Sequence, residues 1–303
     1  MKLTSTLTGR IDGLTDLRAR LQILSARHRA SLLIAATALF ACGSWYAFRS
    51  LGLSPLDLDL RALLATVLLM PLSLLYSGLG LVLLSRCVGA KTSLQQATTI
   101  ASYGTLAEAL PVPGGAMVRV GALMAAGASA TRSSLLVLMT AVLWIALASL
   151  GCGFALWLHQ APASWLLASV GLVGVIMTVS WLARHVGAKL TLLTVGHRFS
   201  GLVLIAVRLH FALLCLGLLV PPINTLPFAL ANIAGSAASI APAGLGISES
   251  LAALVAGSVK VAPAAAFLAV GLDRLACLAA SALAVLASLL TRGPSQAPQG
   301  DGR

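Results

Sequence analysis

Charged residues are scarce in this sequence. Asp, Glu, Lys and Arg make up 9% of its 303 residues, whereas 59% of the residues are hydrophobic. A water-soluble helical bundle needs a polar face on each helix, and stretches such as residues 133–158 offer none. This absence excludes a soluble bundle, and the long apolar runs predict an integral membrane protein.

Acidic residues are scarcer than basic ones. The chain has 8 Asp and Glu against 20 Lys and Arg, which gives a formal net charge of +12. In a soluble protein this excess would favour nucleic acid as a partner, but here the basic residues lie mainly between apolar runs. In that position they indicate membrane orientation, so we expect no nucleic-acid partner.

Motifs for metal binding and catalysis are also lacking. The 5 cysteines are scattered without CxxC spacing, and the sequence contains no GxxxxGK[ST], HExxH or GxSxG pattern. Asp57 and Asp59 have the spacing that some glycosyltransferases use to hold a metal and a sugar diphosphate, but two carboxylates are too few ligands. We interpret them as part of a solvated loop, and we expect no catalytic residue, no metal and no cofactor.

Six apolar runs are long enough to cross about 30 Å of hydrocarbon as helices. They cover approximately residues 31–48, 62–85, 133–158, 163–183, 201–220 and 263–290.

Two further apolar regions, 92–128 and 227–259, are each interrupted by Pro and Gly near the middle. The first contains ALPVPGGAMVRV and the second SIAPAGLGISES. Each half is too short to span the bilayer, and a backbone that bends at this depth must be buried in protein or line a wet cavity. These regions therefore predict two re-entrant hairpins whose tips surround something polar.

The distribution of charge favours this topology. If both hairpins return to the side from which they start, fifteen of the 20 basic residues lie on the cytoplasmic side. Only Arg49, Arg61 and Lys260 then lie outside. If the first region, 92–128, crossed the membrane instead, this excess of basic residues on the cytoplasmic side would be lost.

The predicted order of elements has an internal symmetry. It reads span, span, hairpin from the inside, span, and the second half repeats it upside down, as in many membrane transporters. We therefore expect a basic amphipathic cytoplasmic segment (1–30), a membrane domain (31–291) with inverted halves at about 31–160 and 161–291, and a flexible tail (292–303). Both termini are expected to be cytoplasmic.

Charged residues within predicted spans require partners, because an isolated charge in hydrocarbon is costly. Asp273 and Arg274 are adjacent, so they project about 100° apart on a helix and each needs another partner. The candidate pairs are Arg274 with Glu249, Arg208 with Asp273, and Glu108 with Arg119. For Arg274 a lipid phosphate competes with the protein pair as the expected partner.

Three motifs, LPVPGGAMVRV, ISESL after the APAGLG turn, and the late LDRL, resemble signatures of the lysylphosphatidylglycerol synthase transmembrane (flippase-like) family. The resemblance extends over about residues 30–290. In the second motif the family usually has Arg-Glu, where this chain has Ser248-Glu249. The resemblance assigns to lipid binding Pro113, Gly114, Gly115, Arg119, Gly244, Gly246, Glu249 and Arg274, and the residue pattern adds Pro242 and Asp273.

The resemblance implies a stand-alone lipid translocase or a lipid-binding component of an envelope lipid or glycolipid pathway, without an aminoacyltransferase domain. The expected location is the bacterial inner membrane. Expected partners are membrane lipids (anionic phospholipid, hopanoid or polyprenyl-linked lipid) and a separate lipid-modifying enzyme. A polyprenyl-phosphate-dependent glycosyltransferase and a small-solute transporter remain the alternatives, and the oligomeric state stays open.

Overall fold

The structure is a computed structural model that describes residues 34, 37–54, 56–108, 114–238 and 245–291. These residues form α-helices, short 3-10 helices and connecting turns, with no β-strand among them. The predicted amphipathic segment 1–30 and the tail 292–303 lie outside the described residues.

The described helices follow one another along the chain with short connections. They are α1 (37–51), α2 (Leu60–Leu68), α3 (Met70–Cys87), α4 (Leu94–Ala107), α5 (Gly114–Ala125), α6 (Ala130–Leu158), α7 (Ser164–Val186), α8 (Ala188–Cys215), α9 (Leu226–Ala238), α10 (Ile247–Ala256) and α11 (Pro263–Thr291). Short 3-10 helices at Pro222–Thr225 and Gly257–Val259 lie before α9 and after α10.

Within the described ranges, 5 helical stretches are long and apolar enough to cross a membrane: Leu60–Cys87, Ala130–Leu158, Ser164–Val186, Ala188–Cys215 and Pro263–Leu290. The described part of the chain is therefore all-helical, and the chain is a multi-pass membrane protein. The first predicted span, 31–48, lies partly outside the described residues, and its described part belongs to α1.

Large apolar side chains cover the outer surface of several helices. On α7, Trp165, Leu166, Val173 and Met177 are all exposed. Leaving one such side chain in water costs about 1.5–3 kcal/mol relative to burying it. This surface is suited to contact with lipid chains.

The sequence prediction placed the fifth span at 201–220, and this boundary is wrong. Helix α8 runs from Ala188 to Cys215, so it starts thirteen residues earlier and ends five residues earlier. Lys189, His197 and Arg198 interrupt the apolar run that the prediction relied on. The helix nevertheless continues through them, because His197 Nε2 makes a hydrogen bond of 2.9 Å with the Tyr76 carbonyl and Arg198 stacks on Trp144.

The two Pro- and Gly-interrupted regions each form a pair of short helices. In the α4–α5 pair, the Gly114 backbone packs directly against Ala107, and a Cβ built on Gly104 would lie 3.7 Å from the Gly115 carbonyl oxygen. In the α9–α10 pair, Gly235 packs directly against Ser248. The breaks themselves, 109–113 and 239–244, lie outside the described residues, and with them Pro113, Pro242 and Gly244.

Two apolar clusters hold the helices together. One joins Leu84, Cys87, Leu123, Leu136 and Leu182, which lie near one set of helix ends. The other is larger and includes side chains near the opposite ends, among them Leu156, Leu213, Phe228, Val259 and Ala265. Helix α11 packs against both α4 and α10, so it contacts both helix pairs.

Candidate functional site

The centre of the protein contains a bidentate ion pair between α8 and α11. Arg208 Nε lies 2.7 Å from Asp273 Oδ1, and Arg208 Nη2 lies 2.7 Å from Asp273 Oδ2. Arg208 also donates from Nη1 to Ser73 Oγ on α3 at 2.7 Å. The exposed fractions are 6% for Arg208 and 0% for Asp273. Both carboxylate oxygens of Asp273 are thus satisfied by Arg208, as a charge in a low dielectric requires.

Asn232 on α9 connects this pair to a second arginine. Its Nδ2 donates to Asp273 Oδ2 at 3.1 Å, and its Oδ1 accepts from Arg274 Nη1 at 3.5 Å. Arg274 Nη1 also donates to Ser248 Oγ on α10. An amide can accept on one side and donate on the other, so Asn232 can serve a carboxylate and a guanidinium together.

The second ion pair, Arg274 with Glu249, is looser than the first. Arg274 Nε lies 3.9 Å from Glu249 Oε1, beyond hydrogen-bond distance. Glu249 is fully buried, and Oε1 has no hydrogen-bond partner among the residues that the structure describes. Its other oxygen, Oε2, accepts the Gly246 backbone N–H at 2.7 Å. Glu249 Oε1 therefore retains unused hydrogen-bonding capacity within the described part of the chain.

Gly246 sets the start of α10. Its φ of +83° lies in the left-handed region, which glycine adopts without a Cβ clash. Glu249 follows three residues later in the first turn of the helix, where a carboxylate is favoured by the helix dipole and caps the free Gly246 N–H. The sequence predicted a tight turn and a carboxylate in the first turn at these two positions, and the structure confirms both.

A third ion pair lies at the α4–α5 helix pair. Arg119 Nη2 and Glu108 Oε1 are 3.5 Å apart, and their side chains are 32% and 31% exposed. Gly115 makes room for this pair, since a Cβ at that position would lie 2.5 Å from Glu108 Oε1. Unlike the charges at α11, this pair is open to its surroundings on one side.

All three predicted pairings are confirmed: Arg208 with Asp273, Arg274 with Glu249, and Glu108 with Arg119. Of the remaining predicted site residues, Gly114 and Gly115 start α5, and Gly246 precedes α10. Pro113, Pro242 and Gly244 lie outside the described residues. Whether any of these residues binds lipid stays a prediction.

The sequence prediction missed the uncharged members of the network. Asn232 and Ser73 lie in apolar helices far apart along the chain, and no local spacing connects them to Arg208 or Arg274. An amide in the middle of an apolar helix is nevertheless a usable signal, because it needs an interhelical partner in the membrane. By that criterion Asn232 could have been predicted as a site residue together with the charged residues of the membrane helices.

Asp57 and Asp59 are engaged in local backbone contacts. Asp57 Oδ2 accepts from Ser54 N at 2.7 Å, and hydrogen bonds from Ser54 hold the pKa of this carboxyl below its ordinary value. Asp59 Oδ1 accepts from Arg61 N at 2.8 Å and caps α2. Both residues are exposed in the segment before α2, in agreement with their interpretation as a solvated loop.

No group of three or more His, Cys, Asp or Glu side chains with the arrangement of a metal site occurs within the described part of the chain. Comparisons with protein-family models, with curated proteins and with solved structures gave no match for this chain.

Proposed function

We propose that this protein is a lipid translocase, or a lipid-binding component of an envelope lipid pathway, in which Arg274 and Arg119 receive the phosphate of a headgroup. The observation that carries the proposal is the contrast between the two buried ion pairs. Arg208 and Asp273 are matched by two contacts of 2.7 Å, whereas Arg274 Nε and Glu249 Oε1 are 3.9 Å apart.

A tight bidentate pair is suited to a structural role, and a loose pair is suited to exchange of partners. Removing Arg208 from Asp273 would leave both carboxylate oxygens without their arginine donors, which is costly in a low dielectric. Arg274 makes no hydrogen bond to Glu249, so a phosphate that approaches Arg274 Nε would gain a contact without breaking a hydrogen bond between these two residues. We therefore assign Arg208 to the scaffold and Arg274 to headgroup binding.

Arg119 supports the same function from the other helix pair. Its contact with Glu108 is 3.5 Å long, and about a third of each side chain is exposed. An ion pair of this kind contributes little to stability, about 0–1 kcal/mol, so it can open at small cost. Its position between α4 and α5 makes it a first contact for a headgroup arriving at that helix pair.

We further propose that the α4–α5 and α9–α10 pairs are re-entrant and lie in inverted repeats. Leu123 of α5 packs with Cys87 at one set of helix ends, whereas Phe228 of α9 packs with residues of the other cluster, such as Val259. Basic residues support a cytoplasmic location for the first set of ends: Arg86, Lys91, Arg132, Arg184 and Lys189 lie on or next to them. This orientation would suit an inner-membrane protein with cytoplasmic termini.

The resemblance to the lysylphosphatidylglycerol synthase transmembrane family belongs to this proposal. It rests on the three short motifs and agrees with ion pairs at each of them: Arg119 in the first, Glu249 in the second and Arg274 in the third. The glycosyltransferase alternative has less support, since Asp57 and Asp59 are occupied with backbone N–H groups.

The proposal is tested with purified protein in liposomes that contain fluorescent phospholipids, by measuring the rate of exchange between leaflets. We expect Arg274→Gln to reduce this rate by about tenfold or more, the equivalent of one charge-assisted hydrogen bond. The matched control is Arg184→Gln, which removes an exposed cation at the end of α7 and should leave the rate unchanged.

A second variant separates function from folding. Arg274→Gln alone leaves Glu249 buried without a cation, so a loss of rate could reflect unfolding. Glu249→Gln combined with Arg274→Gln removes both charges and should restore the thermal midpoint but not the exchange. An unchanged rate in this double variant would contradict the role of Arg274 in headgroup binding. No exchange with any headgroup in the wild-type protein would contradict translocation. Uptake of a small solute irrespective of lipid composition would favour the transporter alternative.

A further inference from the structure

A cavity of about 690 Å³ lies between α6, α7 and α8, and none of its lining residues belongs to the charged network at α11. Leu147, Leu150, Phe154 and Trp157 line it from α6, at a spacing that places side chains on one face of a helix. All of its lining residues are apolar except Ser164. The volume is typical of ligand sites, which measure about 300–1,000 Å³.

The cavity has the depth of one leaflet of the bilayer. Along α6 it extends over ten residues, from Trp157 to Leu147, which is about 15 Å at 1.5 Å per residue. The hydrocarbon core is about 30 Å thick. Trp157 and Trp165 lie next to the ends of α6 and α7, and tryptophan is enriched at the membrane–water interface. The cavity therefore reaches from the interface to about the middle of the bilayer, as one lipid chain does.

A smaller cavity of about 230 Å³ adjoins the large one at the interface. The two share Trp157, Ser164 and Trp165, and the remaining walls of the small cavity are residues 160–162, between α6 and α7. This connection is fixed in place, since His159 Nε2 makes a hydrogen bond of 2.9 Å with Asn224 Oδ1 in the 3-10 helix before α9. The two cavities together thus have an apolar part in the membrane and an opening at its surface.

Polar groups without a partner face this opening. Ser164 is 3% exposed, yet its hydroxyl makes no hydrogen bond to any residue that the structure describes, and it lines both cavities. The hydroxyl does not cap α7, because the capping position is Ala163. Gln160 adds an exposed amide to the small cavity.

The opening carries no charged residue. Neither cavity is lined by Asp, Glu, Lys or Arg, and the connections 159–163 and 216–225 contain none. A phosphate headgroup would find no cation here, in contrast to the surroundings of Arg274 and Arg119. A neutral oxygen, by comparison, needs only the hydrogen-bonding groups of Ser164 and Gln160.

We infer that the two cavities bind an uncharged lipid, with one chain in the large cavity and a hydroxyl or ester group of the head at Ser164 and Gln160. A glycerolipid without phosphate, such as diacylglycerol, has this chemistry. The site shares no residue with the headgroup site proposed above, so it does not depend on that proposal.

The site is tested by photo-cross-linking on the full-length protein in phosphatidylcholine liposomes. The probe is diacylglycerol with a diazirine near the end of one acyl chain, and mass spectrometry identifies the labelled residues. We expect labelling at the end of the cavity near the middle of the bilayer, at Leu147 and Phe199. Unlabelled diacylglycerol should compete for this labelling, and phosphatidylglycerol with the same acyl chains should not.

Two valines give a matched pair of variants. Val203 on α8 lines the cavity and is 45% exposed, whereas Val173 on α7 is 55% exposed and does not line it. Val203→Trp should fill the cavity and raise the probe concentration for half-maximal labelling by about tenfold or more, a factor that the loss of two buried methylene contacts already gives. Val173→Trp should leave this concentration unchanged.

Ser164→Ala tests the polar end without a large change in shape. It removes one neutral hydrogen bond to the head, so the concentration for half-maximal labelling should rise by about fivefold. Because the hydroxyl has no partner in the protein, the thermal midpoint without lipid should stay at the wild-type value, which separates loss of binding from loss of folding.

Several results would overturn the inference. One is competition by phosphatidylglycerol as strong as that by diacylglycerol, and another is equal titration of Val203→Trp and Val173→Trp or of Ser164→Ala and the wild type. Labelling as strong around Val173 as in the cavity would show only general contact with lipid. Absence of labelling in the cavity, as when a second copy of the chain covers it, would also contradict the site.

This experiment is independent of lipid exchange between leaflets. A protein that binds diacylglycerol here and exchanges no phospholipid retains this site and loses the proposed translocase function. Normal phospholipid exchange without labelling of the cavity removes this site and leaves the translocase function in place.

Discussion

The ion pair between Arg208 and Asp273 gives a stability prediction of known sign and size. Asp273→Asn would leave Arg208 without its carboxylate at a site where the two residues are 6% and 0% exposed. Removing one partner of a buried pair typically costs about 3–5 kcal/mol, because the remaining charge is neither hydrated nor paired. For a chain of this size the loss corresponds to a fall of the thermal midpoint of roughly 10 °C.

The same site provides an internal comparison. Arg208→Met together with Asp273→Leu removes both charges and should recover at least half of the lost stability, since replacing a buried pair by apolar residues is often nearly neutral. The coupling between the two positions follows from a double-mutant cycle that includes Arg208→Met and Asp273→Leu as single variants. Glu108→Gln, at a pair that is a third exposed, is the matched control and should cost no more than about 1 kcal/mol.

The assay is thermal unfolding in a mild detergent, with a thiol-reactive dye as the probe, since Cys87, Cys152 and Cys215 are free and buried in the folded protein. The reasoning is refuted if Asp273→Asn lowers the midpoint no more than Glu108→Gln does. It is equally refuted if the double variant is less stable than the single one, because the cost would then arise from packing and not from an unpaired charge.

Two other substitutions test separate parts of the account. Gly115→Ala would bring a Cβ to 2.5 Å from Glu108 Oε1 and should destabilise by about 1 kcal/mol, whereas Gly121→Ala, on the same helix with nothing within 4 Å, should be neutral or stabilising. Equal midpoints for the two variants would show that the close approach has no energetic consequence. Asp59→Ala should cost about 1 kcal/mol through loss of the α2 cap and leave lipid exchange unchanged. If Asp59→Ala instead abolished a sugar transfer, the glycosyltransferase interpretation would be correct.

The apolar helices and the intramembrane ion pairs could be predicted from the sequence. Long hydrophobic runs identify membrane helices because the bilayer imposes a length, and few acids are available to pair with Arg208, Arg274 and Arg119. The breaks between α4 and α5 and between α9 and α10 were equally visible, since Pro and Gly interrupt both regions.

The sequence alone could not define the start of α8 or the contacts that hold His197 and Arg198. A span predicted from hydropathy excludes Lys189, His197 and Arg198 because they are polar. In the protein, His197 contacts Tyr76 and Arg198 contacts Trp144, so the helix includes them. Those contacts join residues more than fifty positions apart, so no local pattern contains them. Asn232 was missed for the same reason, although an amide within an apolar helix is a signal in its own right.

The central claim is that two helix pairs enter the membrane from opposite sides and return to the side from which they came. The most direct test is labelling of single cysteines with a membrane-impermeant maleimide, in a background without the native cysteines. Lys91→Cys and Ala126→Cys flank the first pair, and Leu219→Cys and Lys260→Cys flank the second, all at exposed positions. The account predicts that the first two are labelled from one side of the membrane and the last two from the other. If the two positions that flank either pair react from different sides, the claim is wrong.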